Sequence, residues 1–243
     1  MKKFVGCSGY SYDDWKGDFY PDDMPQDEWL FFYAEKFNTV EINNSFYKFP
    51  ENESIKKWLS QIPANFRFSI KGHRFFTHLK KFNVDDSFKE KLDDFQSSLE
   101  PLKEKAGCVL WQLPGNLHKN IPKFEAFCRE LDKDFTHVLE FRHPSWFDED
   151  VYKFMKKNNT AFCILSAPGN LPEDIIVTHK TAYVRFHGKN DWYDYLYSEK
   201  ELKEWKKRLS GLKNIEQLFV YFNNDKHGNA VKNAHHLKKL LKV

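Results

Sequence analysis

His137-Val138-Leu139-Glu140-Phe141-Arg142-His143-Pro144-Ser145-Trp146-Phe147 reads as a short strand, 138–141, that runs directly into Arg-His-Pro. Alternation along a strand places Val138, Glu140 and Arg142 on one face and Leu139, Phe141 and His143 on the other. Pro144 has no amide proton and biases His143 away from helix, so the strand ends there. A carboxylate and a guanidinium on one face of so apolar a strand are expensive as packing alone. They mark the C-terminal end of this strand as part of a site.

The same unit recurs on both sides of this stretch. Strand-like segments cover 4–8, 39–43, 66–71, 108–113, 137–141, 161–165, 182–187 and 218–223. Helical periodicity occupies 26–37, 54–61, 87–102, 121–131, 148–158, 198–209 and 230–241. Strands that alternate with helices pair in parallel through right-handed crossovers. Eight such strands in 243 residues predict an α/β fold, a TIM (β/α)8 barrel. An open doubly wound sheet fits less well, because polar residues close nearly every strand. The sixth connection, 166–180, holds Pro168, Gly169 and Pro172, which predicts a shortened or missing sixth helix. No linker, repeat or low-complexity run divides the chain, so 1–243 is read as one domain.

Lys and Arg total 38 against 35 Asp and Glu, a balance that argues against a broadly basic nucleic-acid protein. Aromatics make up 17% of the residues, enough to build a large core and leave some rings for stacking. Cys7, Cys108, Cys128 and Cys163 form no C-x-x-C pair and sit in apolar runs, so they read as buried thiols. The first residues turn polar too soon for a signal peptide, and no apolar run approaches the ~18 residues of a membrane span. A cytoplasmic setting without membrane contact is the expectation.

In a barrel the apolar parity of each strand faces the helices and the other parity faces inward. That turns Thr39, Glu41 and Asn43 inward, with Arg67, Ser69 and Lys71, then Gln112, then Glu140 and Arg142. Tyr183, Arg185 and His187, and Tyr221 and Asn223, follow from the last two strands. These converge on the C-terminal mouth, where barrels of this type keep their sites. Glu41 and Glu140 face three cations, Lys71, Arg142 and Arg185, so the mouth is net cationic. That sign suits a phosphate or carboxylate, which Arg grips in a bidentate way. It does not suit a divalent metal, which wants carboxylates and neutral imidazoles. Two glutamates also invite acid/base work, and His187 could serve as a base near neutral pH. The alternative is an internal ion-pair lattice that fills the barrel. Tyr10, Tyr12, Trp15, Phe46, Tyr47, Trp146, Trp192, Tyr193 and Tyr195 follow the strand ends and could wall the mouth. The segment from Lys71 to Phe82 mixes basic and aromatic residues and could track a nucleic-acid strand, with an ordinary solvated loop as the plainer reading.

Gly6-Cys7-Ser8-Gly9-Tyr10-Ser11-Tyr12, Val40-Glu41-Ile42-Asn43-Asn44-Ser45-Phe46-Tyr47, Phe68-Ser69-Ile70-Lys71, Gln112-Leu113-Pro114, Glu140-Phe141-Arg142-His143-Pro144-Ser145-Trp146, Tyr183-Val184-Arg185-Phe186-His187-Gly188 and Tyr221-Phe222-Asn223-Asn224 resemble the YecE-like family, in order over nearly the whole chain. The resemblance implies a TIM barrel in a family defined as a domain of unknown function. That family is loosely grouped by fold with sugar isomerases and endonuclease IV-type barrels. Those barrels use several metal-binding His, Asp and Glu residues. The matching positions here supply two Glu, one His and several cations instead.

The expectation is therefore a barrel that binds, and acts on, a phosphate- or carboxylate-bearing small molecule such as a sugar phosphate or nucleotide. Glu41, Glu140 and His187 are the candidate catalytic groups. Tyr10, Asn43, Tyr47, Lys71, Gln112, Arg142, His143, Trp146, Arg185, Tyr221 and Asn223 are the candidate binding residues, and no cofactor is expected. One alternative is a metal-dependent phosphodiesterase or isomerase that uses Glu41, Glu140 and His187 as ligands. Another is a non-catalytic nucleic-acid or protein binder that uses Lys71, Arg74, Lys80 and Lys81.

Overall fold

Eight parallel strands, each too short to bury a face alone, curl into a nearly closed barrel that runs β1-β8-β7-β6-β5-β4-β3-β2. They are β1 (Lys2–Cys7), β2 (Thr39–Ile42), β3 (Arg67–Lys71), β4 (Ala106–Gln112), β5 (His137–Glu140), β6 (Ala161–Ser166), β7 (Thr181–Phe186) and β8 (Gln217–Phe222). Helices α1 (Trp29–Lys36), α2 (Asn52–Ser60), α3 (Asp86–Leu99), α4 (Ile121–Arg129), α5 (Glu149–Lys157), α6 (Glu199–Ser210) and α7 (Asn229–Leu241) pack outside. This computed structural model describes residues 1–169 and 171–243; Asn170, in the sixth connection, lies outside them.

The described residues between β6 and β7 carry no helix, as Pro168 and Pro172 led us to expect. The connection is latched by Glu173 instead. Its carboxylate accepts from Ser166 Oγ (2.7 Å), and its backbone carbonyl accepts from the Arg208 guanidinium of α6. The helical pattern at 87–102 resolves into α3 and a tight turn, Glu100–Lys105, that begins at Pro101. Starts elsewhere are set by side-chain caps. Asp85, Asn120 and Asp148 each accept a backbone amide of α3, α4 and α5, and Ser198 with Glu201 forms a capping box on α6.

Two apolar layers result. The outer one lies between strands and helices and holds Trp15, Trp29, Trp111, Trp146 and most of the phenylalanines. The inner one fills the barrel with Phe4, Cys108, Leu110, Val138, Cys163, Leu165, Tyr183, Phe219 and Tyr221. Val138 faces inward with Glu140, as alternation required.

The ring of backbone ladders breaks at one seam, between β1 and β2. There the sequence supplies side chains where amides and carbonyls would otherwise meet. Asn38 accepts from the Val5 amide (3.0 Å) and donates to the Lys3 carbonyl (2.9 Å). Tyr33 Oη accepts from the Cys7 amide (2.7 Å) and donates to the Thr39 carbonyl (3.0 Å). A Cβ at Gly6 would lie 2.0 Å from the Thr39 oxygen, so only glycine permits this approach. Above it, the Gly9 amide donates to the Glu41 carbonyl (2.8 Å).

Candidate functional site

The charged residues of β2, β5 and β7 meet just inside the C-terminal mouth. Arg185 is fully buried, and its two amino groups part in opposite directions. Nη2 donates to Glu41 Oε1 (2.6 Å), and Nη1 donates to Glu140 Oε2 (2.5 Å). Glu41 also accepts from Ser8 Oγ (2.7 Å) and Tyr183 Oη (2.5 Å), so both its oxygens are engaged. Glu140 Oε1 accepts from Arg142 Nε. Burial alone would raise the Glu140 carboxyl, but the flanking guanidiniums of Arg142 and Arg185 outweigh it and hold the group well below the usual range. A carboxylate so held is an anchor for arginines at neutral pH and has no proton to donate.

His187 is buried beside this lattice, and its Nε2 lies 3.0 Å from Arg142 Nη2 and 3.3 Å from Arg185 Nη1. A guanidinium only donates, so Nε2 serves the two arginines as an acceptor. Nδ1 lies 2.9 Å from Asn223 Nδ2. Burial first, then the two arginines, push the imidazole well below its ordinary value, so it stays neutral. Trp192 covers this corner. Its ring lies 4.2 Å from the Arg142 guanidinium and 5.3 Å from the His187 ring, and the side chain is 36% exposed.

Lys71 ends β3 on the inward parity with its ammonium 4.3 Å from the Phe46 ring. Among the described residues no carboxylate lies at ion-pair distance from it. Glu41 and Glu140 are matched by Arg185 and Arg142. Of the three cations that the sequence placed here, Lys71 is the one left over. Burial, then the nearby Arg185 charge, bring its ammonium down to about 8. The neighbouring His78 is lowered to about 4, by burial and then by Lys71.

The other sequence candidates separate into two groups. Asn43, Gln112, Asn223 and Tyr10 stand at the mouth; Gln112 is in register with Glu140. Trp146 does not reach it, because its ring packs on Phe141 and Phe124 in the outer core and Nε1 donates to the Leu117 carbonyl (2.7 Å). Trp15 is likewise buried. Tyr221 lies in the interior, hydrogen-bonded with Thr39 (2.6 Å) and Ser69 (2.8 Å). Arg185 has no amino group free for a ligand. His143 sits in the loop after β5, with Nδ1 2.8 Å from Ser145 Oγ and its ring 3.8 Å from that of His118. Tyr47 is on the rim, 68% exposed, under the Arg74 guanidinium. Lys80 is engaged by Asp85 (2.6 Å).

Sequence reasoning turned Tyr183 and Ser8 toward the mouth by strand parity but did not name them as catalytic or binding residues. It left out Asp225, beside Tyr12, whose carboxyl burial pushes up to about 8. The donor set does not fit a divalent metal: the Glu41 and Glu140 oxygens face arginines and hydroxyls, and the His187 acceptor faces two guanidiniums. No group of three or more His, Cys, Asp or Glu is arranged to hold a metal ion among the described residues. Nor is any helix among them long and apolar enough to cross a membrane.

A family model described as "Protein of unknown function DUF72" matches residues 4–243. The chain belongs to the DUF72 family. Curated relatives are UPF0759 proteins, among them one with the YecE name that the motifs suggested. UPF0759 protein YunF of Bacillus subtilis (strain 168) is 29% identical across 99% of this chain and 95% of its own length. UPF0759 protein YecE of Escherichia coli (strain K12) is 29% identical across 47% of this chain and 42% of its own length. Among solved structures, a DUF72 family protein (TM1631) from Thermotoga maritima MSB8 superposes with a TM-score of 0.91 at 31% identity, covering all of both chains. A second DUF72 structure, EF0366 from Enterococcus faecalis V583, gives 0.86 at 24% identity over 99% of this chain and 96% of its own, a likeness of fold alone.

Proposed function

We propose that the mouth of the barrel binds a small molecule that carries a phosphate or carboxylate, with Lys71 as its main contact. The observation that supports this is the Lys71 ammonium, half-buried at the mouth with no carboxylate at ion-pair distance among the described residues. A partly buried charge with no close partner is held at a cost, which the more distant Glu140 and Glu41 reduce but do not match with a direct contact. An anion at this point would offset that cost. The lowered value of Lys71 also lets it exchange a proton near neutral pH, which suits a group that assists a reaction on the bound anion.

Thermal unfolding with inorganic phosphate or sulfate tests this reading. A ligand that binds only the native state raises the midpoint, by about 2.7 kcal/mol at a hundredfold excess over Kd. Wild type is expected to shift with either anion. Lys71→Met should lose the shift while keeping or gaining stability without anion. Binding should also weaken as pH rises through about 8, because the anion needs the protonated form. A shift of equal size in Lys71→Met would overturn the reading, as would no shift in wild type.

A second reading has an observation of its own. Tyr47 and Leu79 are 68% and 62% exposed beside Arg74 and Lys81, a patch suited to a single-stranded nucleic acid. Strand binding that falls steeply with salt would support it, and salt-independent or absent binding would remove it.

A further inference from the structure

Just above the β1–β2 seam lies a cavity of about 180 Å³. Tyr10, Tyr12 and Trp58 wall it, and Asn43 and Asn44 line its floor. The walls are fixed from behind: Tyr12 Oη donates to the Ser8 carbonyl (2.5 Å), and a Cβ at Gly9 would press 2.6 Å from that hydroxyl. Two aromatic rings and an indole facing two amides form a surface that is apolar in its faces and polar in its floor.

Asn43 carries the decisive detail. Its Nδ2 donates to the Ser8 carbonyl (3.2 Å), but its Oδ1 is buried with no donor. A buried acceptor left unmatched is costly, and few are tolerated in a native fold. At the lining of the cavity, such an acceptor can be matched by an O–H or N–H of a bound molecule once the side chain shifts slightly toward it. Ile42 and Ile70 are register partners about 4.8 Å apart across the sheet, and Asn43 and Lys71 are the residues that follow them.

We infer that this cavity is a subsite for a polyhydroxylated ring, which makes the ligand of the mouth a phosphorylated or carboxylated sugar. A ring hydroxyl donates to Asn43 Oδ1, a C–H face of the ring lies against the aromatic walls, and the anionic substituent reaches Lys71. The inference rests on the reading of Lys71 as the anion contact.

Titration calorimetry with inorganic phosphate, a set of pentose and hexose monophosphates, and the free sugars separates the two. At least one sugar phosphate should bind wild type about tenfold tighter than phosphate, a difference of about 1.4 kcal/mol. Asn43→Ala should bring that sugar phosphate down to the affinity of phosphate and leave phosphate itself unchanged. Tyr10→Leu, which keeps the amide and removes a wall, should do the same and serves if Asn43→Ala does not fold. If phosphate binds wild type but no sugar phosphate binds tighter, the ring subsite falls and the anion site stands. It also falls if Asn43→Ala and Tyr10→Leu weaken phosphate and sugar phosphate equally. If neither ligand binds wild type, the Lys71 reading fails and takes the subsite with it.

Discussion

Arg185 bridges the two carboxylates of the barrel interior, and its removal would leave both without their shared counter-charge. Breaking one side of a buried ion pair costs ~3–5 kcal/mol, because a desolvated charge is stranded. Arg185→Met should lose that much in denaturant titration. Adding Glu41→Gln should recover part of the loss, since it removes one of the stranded charges. Recovery in the double variant is the outcome that separates charge stranding from a simple packing defect. The inward direction of Glu41, Lys71, Glu140, Arg142, Arg185 and His187 was legible from alternation alone. Their pairing was not. Alternation fixes a face but not a depth, and depth makes Arg185 a tie between strands while Lys71 stays unpaired. The large aromatics misled for a related reason. Trp15 and Trp146 follow strand ends in sequence, but their loops fold back and drive the rings into the outer core. Trp192 follows β7 and does cover the site.

The starts of α3, α4, α5 and α6 are set by side chains that the sequence displays openly. Ser198 and Glu201 bond reciprocally at the start of α6, whose interior is rich in Lys and Glu and buries only Leu202, Trp205 and Leu209. A helix with so narrow an apolar stripe leans on its cap. Ser198→Ala should therefore lose ~1 kcal/mol in the denaturation midpoint, with the loss confined to this segment in hydrogen exchange. The missing sixth helix was legible from Pro168 and Pro172. What holds the connection in its place was not, because Glu173 is fixed by Arg208, 35 residues away. A contact of that range leaves no local pattern.

At the scale of the whole barrel, the regular return of strand and helix made the architecture readable, and the solved DUF72 structures share it. Its response to acid depends on His187 and His78 at the mouth and on a third histidine at the opposite end. His137 is buried at the start of β5, accepts from Trp111 Nε1 (3.0 Å), and places Nε2 2.7 Å from the Asp132 carbonyl. Burial lowers it to about 4. The unfolded chain, with its histidine near about 6.5, binds this proton more readily than the native one. Stability is therefore present above that value and is lost as pH falls toward the native one. Between neutral pH and about pH 5 the loss from this group should be on the order of 1–2 kcal/mol. His137→Gln should flatten that part of the stability profile; an unchanged slope would assign the acid sensitivity elsewhere. The seam between β1 and β2 sets a different limit. A barrel protects itself from intermolecular strand addition by having no sheet edge. Here that protection is delegated to Asn38 and Tyr33, whose loss would expose β1 and β2 as two bare edges in an otherwise intact sheet. For this protein, a small local opening and the first step of aggregation are the same event.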